Sequence, residues 1–190
     1  MNHKIFKRIA IALWLLLLVF IWGYYLFNPA YFEAENLALV LSKYEGHLLL
    51  VYTVIGVLRG LTLLPNMTLL VVGTLLFPDN YTMLLIASVF GITASSTMIY
   101  YFSDFLGFDY FFKKKYPKKI DYIKEKMNKY GVVILLVWSF LPIVPSDLIS
   151  YVSGTLKFNI AKFVAAIIVG HTIIYFVIIF VMGLWNFRLF

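Results

Sequence analysis

The chain has 190 residues, of which 63% are hydrophobic and 13% charged, with a mean hydropathy of +0.91. Soluble domains average about 45–50% apolar and about 25% charged residues, so a water-soluble globular enzyme, a disordered chain and a coiled coil are excluded. The formal charge is +7, and half of the 16 Lys and Arg fall between Lys113 and Lys129, which reads as a cytoplasmic loop of a multi-pass membrane protein.

Cysteine is absent, which removes disulfides and thiol chemistry, and three His make a structural zinc site improbable. The 18 Phe, 14 Tyr and 4 Trp suit a lipid-facing surface with interfacial belts.

About 20 apolar residues cross the hydrocarbon core as a helix. Lys4, Lys7 and Arg8 precede an apolar run Ile9–Phe27, which is too long for a signal-peptide core and reads as an uncleaved first span. The polar stretch Asn28–Gly46 reads as an outer loop. His47–Leu64 is apolar apart from Arg59, Pro65-Asn66 interrupts it, and Met67–Phe77 continues it. Pro78-Asp79-Asn80 predicts a turn and Met83–Leu106 a full span. In the basic segment, Ile120, Ile123, Met127 and Tyr130 fall at helical spacing among lysines. They predict either an amphipathic helix drawn to anionic inner-leaflet lipids or an ordinary positive-inside loop. Gly131–Leu141 is broken from Ser146–Leu156 by Pro142 and Pro145, and Phe163–Trp185 is the last full span.

Two segments are thus split by proline into halves too short to cross alone. Such pairs mark the binding site of transporters built from inverted repeats. Gly73-Thr74-Leu75-Leu76-Phe77 recurs as Gly154-Thr155-Leu156-Lys157-Phe158, and the small pairs Ala87/Gly91 and Ala166/Gly170 follow in order. The expected fold is an all-α integral membrane protein with three full spans and two opposed re-entrant helical hairpins. It is one domain, 1–190: an N-terminal span and outer loop to 46, a first repeat 47–107, a basic cytoplasmic segment 108–130 and a second repeat 131–185. Charge places the N-terminus in the cytoplasm and the C-terminus outside.

The second arm of each hairpin starts after a proline, where Asn66, Ser146 and Asp147 are good N-caps. Two helix N-termini and Arg59 would make an electropositive, donor-rich pocket suited to phosphate or carboxylate. A charge at the bilayer centre costs at least ~2.5–3.5 kcal/mol, which singles out Arg59 and Asp147. They make either a structural ion pair or a phosphate clamp beside a protonatable carboxylate. His171 either relays protons or bonds a neighbouring helix. Ser95, Ser96 and Thr97 either line a polar face or bond their own backbone. No Gly-rich phosphate loop, metal motif, triad or carboxylate pair is present, so neither an enzyme, a metal nor a cofactor is expected. Nucleic acid is not an expected partner, and self-association stays open.

The run Lys129-Tyr130-Gly131 through Trp138-Ser139-Phe140-Leu141-Pro142-Ile143-Val144-Pro145-Ser146-Asp147-Leu148 to Tyr151 and Gly154 resembles the DedA superfamily, in its VTT-domain (SNARE-associated Golgi protein) branch. Leu64-Pro65 through Gly73 and Phe77-Pro78 resemble that family's first hairpin, and the resemblance spans roughly Val51 to Gly183. It implies paired re-entrant hairpins and lipid scrambling or translocation of undecaprenyl phosphate or phospholipids, proton-driven in some members. The family's usual arginine before the second hairpin's prolines is Ser139 here, while Asp147 and Arg59 fit its acidic and basic positions. The expected activity is translocation of phosphate-bearing lipids in the cell membrane, with Arg59, Asn66, Ser146, Asp147 and Tyr151 binding the headgroup and Asp147 and His171 as proton-coupling candidates. The alternatives are a proton- or ion-coupled transporter of a small soluble substrate and a non-transporting, membrane-organising scaffold.

Overall fold

The computed structural model describes residues 3–106, 117–141 and 146–186, and no strand occurs among them. Among the described residues, eight α-helices follow in chain order: α1 His3–Phe27, α2 Ala34–Leu41, α3 Leu48–Leu58, α4 Asn66–Leu76, α5 Tyr81–Leu106, α6 Pro117–Ser139, α7 Ser146–Thr155 and α8 Ile160–Asn186. Among the described residues, four helical stretches are long and apolar enough to cross a membrane: Ile9–Phe27, Ala34–Leu61, Tyr81–Ser103 and Ile160–Gly183. The chain is a multi-pass membrane protein.

Two stretches differ from the sequence expectation. Asn28–Gly46 is not an open outer loop. A short 3-10 turn, Pro29–Phe32, leads into α2, which buries Leu41 and packs on α4. A second 3-10 turn joins α2 to α3, bent at Tyr44 (φ −98°, ψ 38°). Of the charged residues that suggested a loop, Glu35 is exposed on α2 and Glu33, Lys43 and Glu45 are exposed just outside it, and eight residues are too few to display a helical stripe clearly. The basic residues from 117 onward do form a helix, but it does not end near Tyr130. It runs on through Gly131 as the apolar arm up to Ser139. Of its apolar stripe, Met127 is buried while Ile123 and Tyr130 stay exposed. Pro142, Pro145 and Lys113 lie outside the described residues.

The first break has a clear local cause. A 3-10 turn, Arg59–Leu61, ends α3, and Leu63 takes a left-handed conformation (φ 58°). Pro65 then supplies no N–H and disfavours helix at the residue before it. The chain doubles back, and α4 returns beside the start of α3, where the rings of Tyr52 and Phe77 meet edge-on at 5.6 Å. In the second half, Lys119, Ile120 and Ile123 of α6 line one hollow together with Val152, Thr155 and Leu156 at the end of α7.

The internal repeat extends into the connections. Asn80 Oδ1 accepts the Met83 N–H and caps α5, and Asn159 Oδ1 accepts the Lys162 N–H and caps α8, both at 3.0 Å. The α7 end closes as a Schellman turn: Phe158 N bonds Ser153 O at 2.9 Å, Lys157 N bonds Gly154 O at 3.0 Å, and Lys157 sits at φ 55°. The packing is swapped between halves. α3 packs on α5 and α6 on α8, while α7 packs on α5 and α4 on α8. Small residues permit this. Gly91 faces Gly56, Gly170 faces Ser139, and a Cβ at Gly154 would strike the Tyr100 carbonyl.

α5 and α8 lie antiparallel: Tyr100 meets Phe163 at 5.2 Å near one end, and Tyr81 touches Gly183 at the other. Lys7 of α1 stands over the ring of Phe105 at 5.5 Å. The N-terminal end of α1 and the C-terminal end of α5 therefore share a face. Two apolar cores divide the bundle. One gathers around Tyr100, Leu135, Phe163 and Ile167, the other around Tyr52, Leu84, Ile92 and Tyr175. Between them, at mid-length of α5 and α8, lie the buried Ser95, Ser96 and His171.

Candidate functional site

Arg59 and Asp147 meet in this middle layer. Their side chains form a bidentate pair, Nη1 to Oδ2 at 2.9 Å and Nη2 to Oδ1 at 3.1 Å, and the residues are 6% and 3% exposed. Arg59 Nη1 also donates to the Leu64 carbonyl at 2.8 Å. The planar guanidinium fork matches a carboxylate in this way, and would match a phosphate equally. Of the two sequence readings of these residues, the ion pair is present.

The pair borders a cavity of about 410 Å³ lined by Asn66, Ser139, Ser146, Tyr151, His171 and Trp138, among others. Every residue expected to bind a headgroup lines it, as does His171. Both post-proline helices, α4 and α7, begin at its wall. Three polar atoms there are buried without a hydrogen-bond partner: Arg59 Nε, Ser146 Oγ and Tyr151 Oη. Buried polar atoms are nearly always bonded, so each of these is a donor still able to serve a guest. Leu141 and Leu148 also line the cavity and are 45% and 51% exposed, so it opens on the apolar flank of the bundle.

The capping expectation is corrected. Pro65 is the N-cap of α4, and Asn66 is its first helical residue, with Nδ2 donating to the Tyr175 hydroxyl. The Ser146 hydroxyl bonds nothing, and Asp147 is committed to Arg59. A guanidinium offers a carboxylate two charge-assisted bonds, which outweigh the single cap bond. Among the described residues, His171 shows no hydrogen bond to a neighbouring helix. Its Nδ1 sits 3.0 Å from the Ile167 carbonyl, on its own helix. A carbonyl only accepts, so Nδ1 carries the proton. Thr97 bonds back to the Thr93 carbonyl at 2.8 Å, while the Ser95 and Ser96 hydroxyls are buried without partners. His47 is exposed. Among the described residues no group of three or more His, Asp and Glu is placed to hold a metal.

Sequence reasoning assigned the tryptophans to interfacial belts, and two of them do something else. Trp14 Nε1 donates to the Leu61 carbonyl at 2.9 Å and Trp22 Nε1 to the Thr62 carbonyl at 3.2 Å. With Arg59 on Leu64, these satisfy three carbonyls that the break releases from helical bonding. Trp14 and Trp22 stand four residues either side of Leu18, the midpoint of the span Ile9–Phe27. Belt residues belong at span ends. Their inward position was the signal available in the sequence.

The VTT domain family matches residues 64–184. The chain belongs to this family, in its DedA/SNARE-associated Golgi protein branch. No curated protein and no solved structure gives a significant match. The match starts at Leu64, later than the resemblance that began near Val51, so α1, α2, α3 and Arg59 precede it. A VTT domain places the chain among membrane proteins with a transport or lipid-related role.

Proposed function

We propose that this VTT-domain protein is a non-enzymatic lipid translocase, which moves phosphate-bearing lipids such as phospholipids or undecaprenyl phosphate between leaflets. The observation that carries this reading is the buried, laterally open cavity at Arg59, with unpartnered donors on Arg59, Ser146 and Tyr151. A phosphate replacing Asp147 on the guanidinium would find these donors arranged around it, while its acyl tails stayed in lipid through the opening at Leu141 and Leu148. Asp147 and His171 both line this cavity and are the candidates for coupling the exchange to protons. The lateral opening favours a lipid over a small soluble substrate.

The chain is read as one membrane domain whose hairpins α3–α4 and α6–α7 are re-entrant from opposite faces. Supporting this, the carbonyls of Leu61 and Thr62 are level with the middle of α1, so the break lies near the bilayer midplane. Irregular backbone survives at that depth only where protein satisfies it. The contact of Lys7 with Phe105 brings the basic start of α1 to the face where α5 ends, which supports this orientation. Positive-inside bias makes that face cytoplasmic in the cell membrane, with the end of α8 outside.

The test is reconstitution into vesicles carrying a fluorescent phospholipid, with a membrane-impermeant quencher outside. The protein should raise the quenchable fraction above that of empty vesicles, and Arg59→Ala should abolish the rise. Quenching equal to empty vesicles, or unchanged by Arg59→Ala, overturns the reading.

A further inference from the structure

A second, larger hollow of about 630 Å³ lies between α1, α6 and α7. Leu63, Leu148 and Tyr151 border both it and the Arg59 cavity, so the two adjoin. Its walls are mainly the apolar Trp14, Ile120, Ile123, Val152 and Leu156, with Thr155 beside Leu156. Its far end is basic: Lys119 lines it and is exposed, and Lys157 follows directly on Leu156. The hollow thus has a cationic rim at the face where α6 starts and α7 ends, and an apolar shaft rising toward the middle of the bundle.

That profile is the profile of one lipid in one leaflet. An anionic phosphate at the interface attracts lysine, and an acyl chain below it requires an apolar wall. A peptide laid in the shaft would strand its backbone polar groups, and a soluble anion would gain nothing from it. We propose that this groove holds a phospholipid of the leaflet on the lysine face, with its phosphate against Lys119 and one acyl chain running up to Leu63, Leu148 and Tyr151. The site is a waiting position beside the Arg59 cavity. Tyr151 stands at the junction, its ring 6.4 Å from that of Trp14 and its hydroxyl buried without a partner. The inference deepens the lipid-translocase reading and rests on it for its purpose, though lipid occupancy is measured separately from transport.

The experiment uses the full chain in nanodiscs containing phosphatidylglycerol with a photoreactive diazirine near the end of one acyl chain. Cross-linked peptides are mapped by mass spectrometry. Labelling should concentrate on Ile120, Ile123, Val152 and Leu156. Ile123→Trp, at a residue 42% exposed that tolerates bulk, should fill the groove and cut that labelling about fivefold or more. Lys119→Glu should lower it severalfold, and Arg59→Ala should leave it in place. Labelling as dense on the lipid-facing Phe176 and Phe180 of α8, or unmoved by Ile123→Trp, overturns the groove. Localised labelling together with lipid exposure indifferent to Arg59 keeps the groove and removes the translocase. Arg59-dependent exposure with unlocalised labelling does the reverse.

Discussion

In the first hairpin Arg59 stands six residues before Pro65, and Met67 follows two residues after it; the same offsets from Pro145 in the second hairpin give Ser139 and Asp147. One half therefore supplies the cation and the other the anion, on scaffolding that otherwise repeats: Gly73 with Gly154, Phe77 with Phe158, Asn80 with Asn159, Gly91 with Gly170. Ser139, at the position equivalent to Arg59, turns its hydroxyl back onto the Leu135 carbonyl at 2.9 Å. The ion pair is thus a contact between halves. Any motion that separates the hairpins must first open it, and a guest phosphate competes for the same guanidinium.

The largest expected effect comes from removing one side of that pair. Arg59→Ala or Asp147→Ala leaves an uncompensated buried charge and should cost about 3–5 kcal/mol, read as a fall in the melting temperature of the purified protein. The double variant Arg59→Leu with Asp147→Leu removes both charges together and should recover most of the loss, because hydrophobic replacement of a whole buried pair is often near neutral. That stable double variant separates two roles. Normal lipid exposure by it would make the pair a structural clasp, while a folded but inactive protein would make it the headgroup site.

A smaller effect should distinguish the equivalent glycines. A Cβ at Gly154 meets the Tyr100 carbonyl, which belongs to helical backbone, whereas a Cβ at Gly73 meets the side-chain ends of Leu84 and Tyr52. Side-chain ends swing aside and backbone does not. Gly154→Ala should therefore cost about 2–3 kcal/mol and Gly73→Ala about 1 kcal/mol, within the usual range for overpacking. Gly56→Ala, whose nearest neighbours would be 3.6 Å away, should be close to neutral. Thermal melts of the three variants in one detergent give the order, and a larger loss at Gly73 would break the account of why α7 sits tight on α5.

Much of this arrangement was legible in the sequence because lipid simplifies the code. Apolar run lengths gave α1, α5 and α8, and Pro65 marked the first break. The costliest residues in an apolar stretch, Arg59 and Asp147, proved to be partners. What stayed hidden was side-chain choice among competing bonds. Asn66 and Asp147 have cap chemistry, but a tyrosine hydroxyl and a guanidinium brought from distant helices won them. The helix α2 was hidden because polar residues around a short amphipathic stripe read as a loop. The continuity of α6 was hidden because its composition changes from basic to apolar at Gly131 with no backbone signal to match.

The smallest effect concerns Trp14 and Trp22, whose indole N–H groups, among the described residues, bond the first hairpin alone. Trp14→Phe and Trp22→Phe keep most of the ring and remove the indole N–H, leaving the Leu61 or Thr62 carbonyl unpaired. Polar interhelical bonds in membranes average about 0.6 kcal/mol, so each variant should lose roughly 0.5–1 kcal/mol and the double variant somewhat more. The informative quantity is where the loss appears. Amides across the first break include Thr62 N–H, which bonds the Arg59 carbonyl at 2.8 Å, and their hydrogen exchange should speed up. Exchange in α7 should not change, because no tryptophan of α1 bonds its backbone among the described residues. Equal acceleration in both hairpins would mean that α1 steadies the whole bundle. Acceleration confined to the first would identify α1, which precedes the stretch matched by the VTT family, as the helix that holds Arg59's turn in place.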